Sequence, residues 1–199
     1  MLAKRALLVI DVQQAFCEGE HEAFQIAQVI ERINAMADKA RRANAPIVFI
    51  QHESKEGLLR QGSRGWQLAA GLVVGPHDVV LTKSTPDSFL RTELTRFLEE
   101  HGVKVVADVA LKLNGHEFAA ITPRRWLELA RQHMRDDADG VFLSCTNTTQ
   151  IEAIEDIELA LGKPVVNSNQ AVLWGCVQRL GAKLGALPPM PALGKLMAS

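Results

Sequence analysis

Five residues with useful chemistry each follow a short apolar run. They are Asp11 after ALLVI, His52 after PIVFIQ, Lys83 after DVVLT, Cys145 after GVFLS and Asn169 after PVVNSN. An acid, an imidazole, an amine, a thiol and an amide suit nucleophilic acyl transfer. A thiol at neutral pH is mostly protonated, so a carboxylate must take its proton and a cation must steady the thiolate. The thiolate attacks an amide or ester carbonyl, and water later releases the acyl group. Each residue also has an ordinary role. Asp11 could cap a strand end, Lys83 could be a solvated cation, and a lone cysteine is commonly a small buried residue. Cys145 leaves its run into a polar Thr-Asn-Thr-Thr stretch, which favours the reactive reading.

The elements that must position these residues can be read from periodicity. Strands are expected near Ala6–Ile10, Pro46–Gln51, Asp78–Lys83, Val103–Ala107, Gly140–Ser144 and Pro164–Asn167. Runs such as ALLVI and GVFL suit strands covered on both faces. Between them lie five stripes of helical period. Ile26, Val29, Ile30, Ile33, Ala37 and Ala40 form the first, and Leu90, Leu94, Phe97 and Leu98, ended by Gly102, the second. Trp126, Leu129, Ala130 and Met134 follow Thr122 as cap and Pro123 at the first helical position. Ile151, Ile154 and Leu161 stop at Gly162, and Leu173, Trp174, Val177 and Leu180 stop at Gly181. This alternation predicts an α/β fold. It is a three-layer, mostly parallel six-stranded sheet with helices on both faces, Rossmann-like or flavodoxin-like. In such sheets ligands bind beyond the carboxyl ends of the strands, which gathers the five residues on one edge. The stretch Glu53–Gly75 is too long for a simple connection and has the length of a site-lining loop.

The composition is that of a globular protein, 47% hydrophobic and 23% charged, with a formal net charge of -1. No basic footprint for nucleic acid is present, and no apolar run is long enough to span a membrane. MLAKRALLVIDV reads as a buried strand and not as a signal peptide, because Asp11 interrupts it. Three widely spaced cysteines, Cys17, Cys145 and Cys176, argue against a disulfide framework and fit a reducing cytoplasm.

The blocks ALLVIDVQQAF, APIVFIQHES, GLLRQGSRGWQL and DVVLTKSTPDSFLRTELTRFLEEHGV resemble the isochorismatase-like cysteine hydrolases over residues 2–102. The resemblance implies a catalytic Asp-Lys-Cys triad, with Asp11 and Lys83 as its first two members. The family's turn carrying the cysteine is absent; His116 and Glu117 stand near its offset. The Asp-x-His metal pattern of the related nicotinamidases is also absent, so neither metal nor cofactor is expected.

Residues 102–181 resemble a different family. GVKVVADVAL, ITPRRWLELAR, ADGVFLSCTNTTQIEAIEDIE and LGKPVVNSNQAVLWGCVQRLG look like the C-terminal lobe of maleate isomerases, in the aspartate/glutamate racemase superfamily. The resemblance implies a catalytic thiol at Cys145, with Thr146 and Asn147 binding a substrate carboxylate. A helix N-terminus after Cys145 would stabilise both thiolate and anion. The family's N-terminal lobe, with its second thiol, is missing. Arylmalonate decarboxylases of the superfamily use one thiol at this position. Cys17 matches no motif, and Cys176 is expected to pack on the flank of its helix.

The expected organisation is an isochorismatase-like half at 1–102, a maleate isomerase-like half at 103–184 sharing one sheet, and an irregular tail at 185–199. A natural fusion or an engineered recombination would both give such a chain. The favoured reading is a cysteine-dependent hydrolase of a small amide or ester. Cys145 completes the triad with Asp11 and Lys83, and His52, Thr146, Asn147 and Asn169 contact the substrate. One alternative is isomerase- or decarboxylase-type chemistry at Cys145 on a small dicarboxylate, with Lys83, His52, Arg60 and Arg64 as anion donors. The other is a folded hybrid with an incomplete, inactive site. The partner is a small carboxylate or amide, not nucleic acid or membrane, and both families imply a homodimer.

Overall fold

A computed structural model describes residues 4–104, 117–145, 148–184, 190 and 193–197. It divides into two compact units, Met1–Ala110 and Leu111–Ser199.

The first unit is built on β2, Ile47–His52, whose residues 47–51 are all buried. Its side chains alternate between faces, as strand geometry requires. Ile47 and Phe49 join Val9 and Ala37 in one apolar cluster, while Val48 and Ile50 join Leu94 and Leu98 in another. The first cluster packs under α1, Ile26–Arg42, and the second under α2, Leu94–Glu100. Sheet and helices thus form three layers within this unit. β1 (Leu7–Ile10) and β3 (Val79–Lys83) flank β2, both parallel to it. Glu53–Gly75 is irregular as expected, but tied down. Gln14 N–H donates to Gln67 O, Ala69 N–H to Val12 O, and Arg64 pairs with Glu18.

α2 ends with its own stop. Gly102 takes φ +69, its N–H reaches Glu99 O, and Val103 N–H reaches Leu98 O while Val103 packs beside Leu98. This doubled closure satisfies carbonyls that a helix end would leave unpaired. Val103 was expected to open a strand and instead completes the helix stop. Residues 105–107 of that expected strand lie outside the described residues.

In the second unit β4 (Val141–Leu143) and β5 (Val165–Asn167) pair in parallel. The helices α3 (Pro123–His133) and α4 (Ile154–Leu161) cover one face through Trp126, Ala153, Ile154, Ile157 and Val165. Thr122 caps α3, accepting the Arg125 N–H, with Pro123 next as expected. Gly162 at φ +66 ends α4. A further helix, α5, spans Ser168–Leu184.

Three expectations are corrected. The α/β class with parallel strands holds, but a single six-stranded sheet does not. Among the described residues there are five strands in two sheets, β1-β2-β3 and β4-β5. GVFL is not covered on both faces: Val141 and Leu143 face the core while Phe142 is 66% exposed. α5 does not stop at Gly181 but continues three residues further, since one glycine costs a helix only about 1 kcal/mol. Among the described residues no helix is long and apolar enough to cross a membrane.

Candidate active site

The register of the first sheet determines what meets at its carboxyl edge. Ile10 pairs with Ile50, and Lys83 stands opposite His52. Asp11 and Lys83 therefore leave outer strands on either side of β2, about 10 Å apart at two strand spacings. The long lysine side chain crosses that gap, and its Nζ lies 3.1 Å from Asp11 Oδ2. The Lys83 side chain is 2% exposed and the Asp11 side chain 41%. Lys83 is thus a buried cation and not a solvated one. Its other contacts are the carbonyls of Thr85 at 3.3 Å and Pro86 at 3.1 Å, which match the three N–H donors of an ammonium.

Asp11 sits where the chain turns out of β1, at φ +58. Aspartate tolerates this left-handed region better than most residues. Its N–H still completes the ladder to Ile50 O at 2.9 Å. Oδ1 is buried with no hydrogen-bond partner in the structure, as are His52 Nδ1 and Trp66 Nε1.

Gln13, fully buried, fastens this edge. Its side-chain amide donates to His52 O at 2.9 Å and Trp66 O at 2.7 Å, and its oxygen accepts the His52 N–H at 2.7 Å. Gln51 donates a second amide to Trp66 O at 2.7 Å. Sequence reading missed Gln13, Gln51 and Trp66, because amides in a polar stretch look solvated. The usable signal was Gln13 lying two residues beyond Asp11, at the end of a buried strand.

In the second unit Cys145 follows β4 at φ +110, a strained conformation for a residue with a Cβ. Its N–H donates to Ser168 Oγ at 3.2 Å. The expected helix N-terminus does not follow directly: the next helical turn starts at Gln150 and α4 only at Ile154. Thr146 and Asn147 lie outside the described residues, as does His116; Glu117 is exposed. Asn169 lies in the first turn of α5, its N–H donating to Asn167 Oδ1 at 2.9 Å. Asn167 is fully buried and its amide reaches Leu143 O and Gln150 Oε1, tying the ends of β4 and β5 together. Gln170 continues this network to Leu193 O at 2.6 Å.

All three thiols are free. Burial, then the charges of Glu18 and Glu22, push the Cys17 thiol up, which keeps it protonated at neutral pH. Cys176, expected to be packed, is exposed on α5 because its stripe is only partly covered.

Two family models match the chain over overlapping stretches. The isochorismatase domain family matches residues 5–109, and the arylmalonate decarboxylase family matches residues 72–195. The chain belongs to both families, to the isochorismatases through its first half and to the arylmalonate decarboxylases through its second. More particularly, it is 29% identical over 191 residues to a streptothricin hydrolase of Streptomyces noursei, covering 95% of this chain and 64% of that protein. It is 38% identical over 60 residues to an arylmalonate decarboxylase of Bordetella bronchiseptica, covering 30% of this chain and 24% of that one. The chain thus spans less than two thirds of either relative. The solved N-carbamoylsarcosine amidase of Thermoplasma acidophilum shares the fold, at a TM-score of 0.52 and 15% identity, over 83% of this chain and 97% of that one.

Proposed function

We propose that the protein is a cysteine-dependent hydrolase of a small amide or ester. Asp11 acts as acid and base, Lys83 as the fixed cation and Cys145 as the nucleophilic thiol, with His52, Thr146, Asn147 and Asn169 as substrate contacts. The observation that carries the reading is the buried Lys83 ammonium held 3.1 Å from a part-exposed Asp11 carboxylate. Such a pair offers a carboxylate for proton transfer beside a positive charge that favours anionic groups. In chemistry of this class a carboxylate takes the thiol proton, the sulfur bonds to the carbonyl carbon, and the carboxylate returns the proton to the departing nitrogen or oxygen as its bond to carbon breaks. Water, deprotonated by the same carboxylate, then cleaves the thioester, releases the acid and restores the thiol.

Three observations support Cys145 as the thiol. Cys17 is held protonated, Cys176 lies on a helix surface, and Cys145 leaves a strand end in strained backbone. Hydrolysis of maleamate, of a simple amide and of streptothricin, taken from the relative's name, tests the reading. Turnover is expected to fall at least about 100-fold in both Asp11→Asn and Cys145→Ala. Full turnover in either variant overturns it. Alkylation followed by mass spectrometry at pH 6 is expected to label Cys145 ahead of Cys17; the reverse order removes Cys145 from its role.

The match to the decarboxylase family over residues 72–195 favours a second reading, proton or addition chemistry at Cys145 on a small dicarboxylate. In that case Cys145→Ala abolishes turnover and Asp11→Asn leaves it intact.

A further inference from the structure

The structure assigns to Gln13 the role of a positioning residue that closes the Glu53–Trp66 loop beside Asp11 and so fixes how substrate enters the hydrolytic site. The inference rests on the hydrolase reading for its functional half and on geometry alone for its structural half.

Residues 53–65 form an excursion whose two ends return to one side chain. The peptide before the excursion is gripped on both sides, since Gln13 accepts the His52 N–H and donates to the His52 carbonyl. The far end is gripped at the Trp66 carbonyl, which takes amides from Gln13 and Gln51 together. Gln13 is fully buried and Gln51 is 5% exposed, so water does not readily replace these bonds. The backbone of Gln13 adds to the grip, with its N–H on Asp11 O at 3.0 Å and an antiparallel bridge to Leu68. One residue thereby joins the turn that holds Asp11, the exit of β2 and the return of the loop.

Three polar side-chain atoms nearby in the chain path have no hydrogen-bond partner in the structure, Asp11 Oδ1, His52 Nδ1 and Trp66 Nε1. All three belong to residues that Gln13 bonds through their backbones. A small substrate carrying hydrogen-bond donors and acceptors is the ligand class that such atoms serve. Gln13 touches none of it and acts through the three residues it holds.

Gln13→Met keeps the approximate volume and removes all three side-chain hydrogen bonds, while Gln51→Met removes one of the two donors to Trp66 O. Native-state hydrogen exchange at His52, Ser54 and Gln67 is the main readout and needs no turnover. Gln13→Met is expected to speed exchange there by about tenfold or more, against unchanged exchange in α1 and at Val48–Ile50; Gln51→Met has a smaller effect in the same direction. In the kinetic arm, Gln13→Met raises KM about tenfold with kcat within about threefold, and Gln13→Asn does not rescue it because its amide is one methylene short. Uniformly faster exchange across the unit, or loss of folding in both Met variants, makes Gln13 a general core residue and overturns the inference. So does unchanged exchange at His52. If the native protein turns over no amide or ester while the local exchange effect is present, the hydrolase reading fails and the clasp stands.

Discussion

Replacing Asp11 separates two contributions that the structure places on one residue, the charge facing Lys83 and the left-handed backbone. At 3.1 Å the attraction is about 5 kcal/mol at an effective dielectric of 20 and about 1 kcal/mol in bulk water. The Asp11 side chain is 41% exposed and that of Lys83 only 2%, so solvent screening brings the net value to about 1–2 kcal/mol. Asp11→Asn removes the charge while keeping an oxygen acceptor and a residue type that tolerates φ +58. It is expected to lose about 1–2 kcal/mol, and the loss shrinks in 1 M salt. Asp11→Gly also removes the acceptor but relaxes the backbone. Asp11→Ala removes the acceptor and keeps the strain, so it falls about 1 kcal/mol below the glycine variant. Urea and thermal unfolding measure the series. The expected order of stability is native, Asn, Gly, Ala, with each kcal/mol equal to roughly 4–8 °C in a domain near this size. An alanine variant as stable as the glycine one would remove the left-handed turn. An asparagine variant indistinguishable from native at low salt would remove the ion pair.

Two further outcomes follow from other contacts. Asp78 is buried, yet hydrogen bonds from Arg41 and the Gly75 N–H, with the Arg41 charge, outweigh that burial and hold its carboxyl below the usual range. A depressed folded pKa adds stability above the unfolded value and loses it as pH falls through the folded one. Asp78→Asn should therefore cost about 2–3 kcal/mol at pH 7, with a gap to native that closes in acid; a gap constant from pH 7 to pH 2 refutes the pairing. In the second unit, a Cβ on Gly194 would lie 2.4 Å from Ile154 Cγ2 and 3.0 Å from Gln170 Nε2, at φ +88. Gly194→Ala should release the segment around Leu193–Met197 to proteases and destabilise that unit by about 1–3 kcal/mol; an unchanged cleavage pattern counts against the packing.

The sequence made some of this legible and concealed the rest for definite reasons. β1, β2 and β3 announced themselves as apolar runs, and Thr122-Pro123 and Gly162 marked helix ends through local backbone chemistry that needs no tertiary context. Asp11 and Lys83 could be placed on one edge because strand ends follow directly from those runs. The fate of Val103 was hidden, because an apolar residue after glycine can begin a strand or close a helix, and here its N–H bonds Leu98 O and its side chain joins the cluster under α2. The exposure of Phe142 and Cys176 depends on what covers a face, which periodicity does not report. Gln13 was hidden most completely, since a buried amide differs from a solvated one only through distant partners at His52 and Trp66.

The self-contained ending of α2 bears on how two lineages can meet in one polypeptide. The two family matches overlap across residues 72–109, the stretch that holds β3, α2 and the Gly102–Val103 closure. The backbone partners of that closure, Glu99 O and Leu98 O, come from within the helix, so it needs no acceptor from the sequence that follows. The β3–α2 stretch, with Lys83 at the end of β3, is thus the part of the chain that both family matches share.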